Sequence, residues 1–137
     1  MPVPRALSST ERRELEDGAT EVLQRADARY SGFRVGAAVL TESGQIFAGC
    51  NVESDSYGLT MCAERSAIFQ SVAAEGPESR VRAVAVVSEA GAMCSPCGAC
   101  RQVIFERGPD ARVVFHDGEG AREESISALL PWGFRLK

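Results

Sequence analysis

The sequence predicts an α/β domain in three layers, with a five-stranded sheet covered by helices on both faces. Three observations carry this expectation. Short β-branched or small apolar runs alternate with longer segments of helical period. Turn signals separate them in the order α-β-β-α-β-α-β-β-α. The chain has 137 residues, 45% of them hydrophobic and 25% charged, which fits one soluble globular domain with a real core.

The elements follow in order. Ser8-Ser9-Thr10-Glu11 is a capping box. After it, Leu15, Ala19, Val22, Leu23 and Ala26 share one stripe, so the spacing predicts a helix from Thr10 to about Ala28. Tyr30-Ser31-Gly32-Phe33 reads as a loop. Val35 to Leu40 and Gln45 to Asn51 read as a hairpin turned at Glu42-Ser43-Gly44. Gly49 near its end points to a close backbone approach. Asn51 to Gly58 is a polar loop. A second helix is expected from Thr60 or Met61 to about Ala74, ended by Glu75-Gly76-Pro77. Arg82 to Ser88 reads as a buried strand, and Glu89 to Ser95 as a loop. Pro96 is placed to open a third helix, Cys97 to Glu106, which Gly108-Pro109 stops. Arg112 to His116 is a strand, Asp117 to Gly120 a turn, and a short strand returns to about Glu124. Ser125 can cap a last short helix, ended by Pro131.

Composition narrows the class. A net charge of −4 weighs against a nucleic-acid partner, which needs a basic face. The longest aliphatic run, Ala83 to Val87, falls far short of the roughly 20 residues of a membrane span. Residues Met1 to Ser9 lack the apolar core of a signal peptide, so the expected compartment is the cytoplasm. The five cysteines are Cys50, Cys62, Cys94, Cys97 and Cys100. An odd count fits a reducing compartment, where Cys-x-x-Cys reads as metal or redox chemistry. No repeat or linker divides residues 1–137, so a single domain is expected.

Cys62, Cys97 and Cys100 carry the chemistry. All three fall in the expected first turns of two helices, where the positive end of the helix dipole favours a thiolate. Three thiolates can hold Zn²⁺ and leave its fourth position open to water or substrate. A redox pair needs no third cysteine. A closed structural zinc needs a fourth ligand, and Cys50, Cys94 and the single histidine, His116, lie at no usual ligand spacing. Glu64, two residues after Cys62, can move protons beside the open position. Three thiolates overcompensate a divalent ion. Arg65 or Arg101 can offset that charge by hydrogen bonds, and Arg65 is the favoured candidate. Asn51 and Glu53 read by themselves as turn residues, although their i, i+2 spacing in extended chain lets both reach one ligand.

Cys-Ala-Glu followed by Pro-Cys-x-x-Cys resembles the signature of zinc deaminases, in which a glutamate that is not a ligand serves as acid and base. More closely, the chain resembles the small cytidine deaminases of pyrimidine salvage. The likeness runs through Tyr30 to Ala38, Gly49 to Glu53, Ser56 to Thr60, Cys62 to Arg65, Ser95 to Gln102, and Leu129-Leu130-Pro131 with Phe134. The resemblance implies a mixed sheet, one Zn²⁺ per chain and a homotetramer whose sites are completed by neighbouring subunits. It implies hydrolysis of cytidine or 2′-deoxycytidine to the uridine with release of ammonia, Glu64 serving as proton shuttle. Asn51 and Glu53 would hold the ribose hydroxyls, Phe33 would stack near the base, and Ala63 with Glu64 would read the cytosine edge. Tyr57 would reach a neighbour's site and Phe134 would add an aromatic wall. Cys50 and Cys94 have no role in the family, which leaves them as packing or surface thiols. The chain departs from the family at Ser54-Asp55, where Asn-Ala is common, and at Trp132-Gly133, where smaller residues are usual. The alternative is a deaminase of a cytosine nucleoside antibiotic, like blasticidin S deaminase. Arg65 and the Asn51/Glu53 pair favour the salvage enzyme. A zinc module without activity leaves Glu64 unexplained.

Overall fold

The computed structural model describes residues 5–136. Among them α1 spans Ser9–Leu23, β1 Val35–Thr41, β2 Ile46–Cys50, α2 Ala63–Glu75, β3 Val81–Ser88, α3 Gly98–Arg107, β4 Arg112–His116, β5 Ala121–Ser125 and α4 Ile126–Leu129. Single 3₁₀ turns lie at Tyr57–Leu59 and Glu89–Gly91. The sheet order is β2-β1-β3-β4-β5. Only the β3–β4 pair is parallel among the described strands, so the sheet is mixed, as the family resemblance implies.

Strand alternation sorts the core into two layers. Ala38, Leu40, Ala83, Ala85 and Val114 face Leu15 and Ala19 of α1. Ala37, Val39, Val84, Val86, Val113 and Phe115 face the other way, onto Ile68 of α2, Ile104 of α3 and Ile126 of α4. Sheet residues this small draw the helices in close. A Cβ on Gly36 would lie 2.0 Å from the Ala19 carbonyl oxygen, and one on Gly49 would lie 2.4 Å from the Ala67 nitrogen. The close approach expected at Gly49 is thus α2 resting on β2.

Register decides where the loops gather. Gly36 pairs with Cys50, and Val35 with Ser88. The start of β1, the end of β2 and the end of β3 therefore share one end of the sheet. Each of β2 and β3 is followed by a chain segment leading to a helix, so α2 and α3 both begin at that end.

The structure corrects three helix boundaries. α1 stops at Leu23 rather than Ala28, because Asp27 bridges to Val52: its N–H donates to the Asn51 carbonyl and its carbonyl accepts from Glu53 N. α2 starts at Ala63 rather than Thr60 or Met61, because Met61 and Val52 exchange backbone hydrogen bonds of 2.9 and 3.0 Å. α3 starts at Gly98 with Cys97 as its N-cap, so Pro96 precedes the helix instead of opening it. The capping box holds as read: the Ser8 hydroxyl accepts from Glu11 N, and the Glu11 carboxylate accepts from Ser8 N.

Gly49→Ala tests the close packing of α2. The new methyl collides with α2 backbone, and overpacking of this kind costs about 1–3 kcal/mol. The urea midpoint of the variant is expected to fall accordingly; an unchanged midpoint would contradict the packing described.

Candidate active site

Two helix starts bring the three sulfurs together. Cys62 is the N-cap of α2 and Cys97 the N-cap of α3, and neither side chain caps a backbone N–H, so both sulfurs are free to point away. Cys100 lies one turn into α3 and is fully buried. The three Sγ atoms lie within 4.8 Å of one another, Cys62 and Cys97 at 3.9 Å. Sulfurs on a tetrahedral zinc with arms of about 2.3 Å sit about 3.8 Å apart, so the donor set and its spacing fit Zn²⁺. Cys50, Cys94 and His116 are not part of the cluster among the described residues. The set therefore offers three ligands and an open side.

The charges around the sulfurs are arranged to hold thiolate. Arg65 Nη2 lies 3.3 Å from the Cys62 sulfur. A hydrogen bond from the Cys100 thiol, and next the Arg65 guanidinium, pull the Cys62 thiol down to about 5. The nearby Cys62 sulfur, together with burial, pushes the Cys100 thiol upward. Arg101 is engaged elsewhere, donating to the Pro96 carbonyl at 2.7 Å and the Leu129 carbonyl at 2.8 Å. Of the two arginine candidates, Arg65 is the one at the sulfurs. Its Nε is buried without a partner, a donor left over beside the cluster.

Glu64 is the more deeply buried of the two acids that border the cavity. Its relative exposure is 5%, and burial pushes its carboxyl up to about 7. A carboxyl tuned near neutral can accept and return a proton at working pH.

A cavity of about 430 Å³ opens beside the cluster. Phe33, Asn51, Glu53, Ala63, Glu64, Cys62 and Cys97 all border it. The Asn51 and Glu53 side chains also fasten the segment before β1. Asn51 accepts from Val35 N at 2.9 Å and donates to the Phe33 carbonyl at 3.0 Å. Glu53 Oε1 accepts from Tyr30 N at 2.8 Å and Ser31 N at 3.0 Å, and Oε2 accepts from the Ser31 hydroxyl. These bonds match the turn-like reading of the pair, and both residues also border the cavity.

Two expected site residues are not at this cavity. The Tyr57 ring packs edge-on against Tyr30 with centroids 5.5 Å apart, and Phe134 borders a separate surface hollow with Glu106 and Arg107. Both are largely exposed in the single chain. Sequence reasoning missed Ser31, Met93 and the cavity-facing position of Cys94. Cys94 is buried and donates to the Val86 carbonyl, so it is a wall residue and not a surface thiol. Ser31 had a signal, its place in the Tyr-Ser-Gly-Phe stretch; Met93 had none.

Residues 9–117 match the family described as the cytidine and deoxycytidylate deaminase zinc-binding region. A cytidine deaminase of Halalkalibacterium halodurans is 43% identical over 118 residues, covering 85% of this chain and 88% of that protein. A cytidine deaminase of Mycobacterium tuberculosis is 39% identical over 122 residues, 89% of this chain and 88% of that one. The crystal structure of cytidine deaminase from Burkholderia pseudomallei superposes with a TM-score of 0.82 at 43% identity, covering 93% of this chain and 100% of the other.

Asn51→Ala strips the Val35 amide and the Phe33 carbonyl of their side-chain partner. Leaving such groups unsatisfied costs about 1–3 kcal/mol. The melting temperature of the variant is expected to drop; a wild-type melting temperature would show that Asn51 does not fasten this segment.

Proposed function

The chain belongs to the cytidine and deoxycytidylate deaminase zinc-binding family, and on that footing we propose that it hydrolyses free cytidine and 2′-deoxycytidine to uridine and 2′-deoxyuridine, releasing ammonia. The observation that carries this reading is the buried Glu64 carboxyl beside three convergent sulfurs, on the wall of a cavity within the usual size of small-molecule sites.

Cys62, Cys97 and Cys100 would hold one Zn²⁺ per chain. When bound there, zinc supplies the Lewis acidity that lets water attack near neutral pH. Glu64 accepts the proton of the attacking water on a carboxylate oxygen and delivers it to N3 of the base. It then carries the second water proton to the amine leaving C4. Its burial-raised affinity for protons suits both halves of that shuttle. Arg65 neutralises part of the thiolate charge, so that the three sulfurs do not quench the cation. Ala63 and Glu64 meet the cytosine edge, and Phe33 stacks near the base. Asn51 and Glu53 hold the ribose hydroxyls; a carboxylate has about four acceptor positions, so the three bonds Glu53 already accepts leave room for one hydroxyl donor.

Tyr57 and Phe134 would complete the sites of neighbouring subunits in a homotetramer, which accords with their exposure in one chain. The chain would act as one domain over residues 1–137, of which residues 1–4 and 137 lie outside the described part. Its place would be pyrimidine salvage in the cytoplasm, with neither nucleic acid nor membrane as partner. No helix among the described residues is long and apolar enough to cross a membrane. The antibiotic-deaminase alternative is not favoured, since the relatives at 39–44% identity are named cytidine deaminase.

Glu64→Gln keeps the shape of the side chain and removes the shuttle. Turnover of cytidine is expected to fall about 10³-fold or more with zinc content unchanged. Near-normal turnover would refute the acid/base role. For Arg65→Gln, kcat is expected to fall about tenfold with zinc still bound, because the loss is of charge compensation only; unchanged kcat would remove Arg65 from the site.

A further inference from the structure

One step beyond the ladder of β1 and β3, an ion pair links two segments that border the cavity. Arg34 lies between Phe33 and Val35, which both border the cavity. Glu89 opens the loop that brings Met93, Cys94 and Ser95 to the cavity wall. The pair is bidentate: Arg34 Nε donates to Glu89 Oε1 at 2.6 Å and Nη2 to Oε2 at 3.1 Å. It continues the sheet by one step, since Val35 and Ser88 are the last paired residues of β1 and β3 at this end. Beyond Glu89 the chain makes a sharp turn through left-handed backbone, Ala90 at φ 58° and Gly91 at φ 65°, the first of which an alanine seldom adopts. Ser88 Oγ closes this turn by donating to the Ala92 carbonyl at 2.7 Å. Met93, 63% exposed, and Phe33, 39% exposed, are apolar side chains that border the same cavity, each a few residues from one partner of the pair.

We propose that the Arg34–Glu89 pair is a positioning device for substrate binding: it holds the Phe33 bank and the Met93 bank at the separation a planar base requires. Neither side chain touches the reacting atoms. The pair acts through Phe33 and through the loop that ends in Cys97. The proposal rests on the nucleoside reading of the cavity. It also accounts for strain at Ala90, since a two-point guanidinium–carboxylate bond at the head of the turn restrains the chain where local preference would relax it.

The test compares the zinc-loaded wild type, Arg34→Gln, Glu89→Gln and the swapped pair Arg34→Glu with Glu89→Arg. Two readouts are taken: KM and kcat for cytidine, and amide hydrogen exchange of residues 89–95. Each single variant is expected to raise KM roughly fivefold, the scale of a half-exposed ion pair, with kcat within about twofold. Exchange in residues 89–95 is expected to quicken by a similar factor. The swapped pair restores both toward wild type, which loss of general stability would not do. Unchanged KM and exchange in the single variants, or a swap as impaired as they are, overturns the proposal. A wild type inert towards cytidine would count against the deaminase reading instead, and the exchange comparison then decides for or against the pair by itself.

Discussion

The parallel pairing of β3 with β4 is the constraint on which the site depends. A parallel neighbour cannot be reached by a tight turn; the chain must cross over the sheet, and here it does so through α3. The crossover has to begin beyond the end of β3. Because β1 runs antiparallel to both β2 and β3, the end of β2 lies at that same end. The start of α2 is drawn there by a second device, the backbone exchange between Val52 and Met61. Two N-caps, Cys62 and Cys97, are thereby placed side by side, although they are far apart in sequence. Ligands in α/β folds commonly lie beyond the carboxyl ends of strands for the same reason.

Local electrostatics then suit the place that topology creates. Helix N-termini favour anions, and the sulfurs sit on two of them. Arg65 adds a full positive charge from one turn further along α2. Glu64 is adjacent yet opposite in tendency: packed away from water, it keeps its proton more readily than an exposed carboxyl does. A thiolate bias and a near-neutral acid within one helical turn suit the water activation and proton shuttle proposed above. The small side chains of the sheet contribute at a distance, since α2 reaches its depth only because Gly49 offers it no side chain to collide with.

Much of this was legible in the sequence. The capping box of Ser8 and Glu11, the strand Arg112–His116 and the clustering of Cys62, Cys97 and Cys100 follow from local pattern and from spacing. The helix boundaries did not, because they are set by partners distant in sequence. Asp27 abandons the helical period to bridge Val52, and Met61 does the same from the other side. No periodicity of the first helix carries that information. The cavity shows the same division. Asn51 and Glu53 were visible as a polar pair, but the use of both side chains to fasten Tyr30 to Val35 emerges only once the two segments are adjacent. Met93 reaches the mouth through a left-handed turn that the expected loop from Glu89 to Ser95 did not specify.

Under the proposed function, the three sulfurs and Glu64 form a zinc-dependent hydrolytic site for a free cytosine nucleoside. The most direct measurement is ammonia and uridine formation from cytidine by the purified protein, before and after removal of metal with a chelator and again after zinc is returned. Equal amounts of uridine and ammonia are expected, with loss of both when the metal is removed and recovery when zinc is returned. Uridine formation that persists at full rate in protein shown to be free of metal would contradict that function.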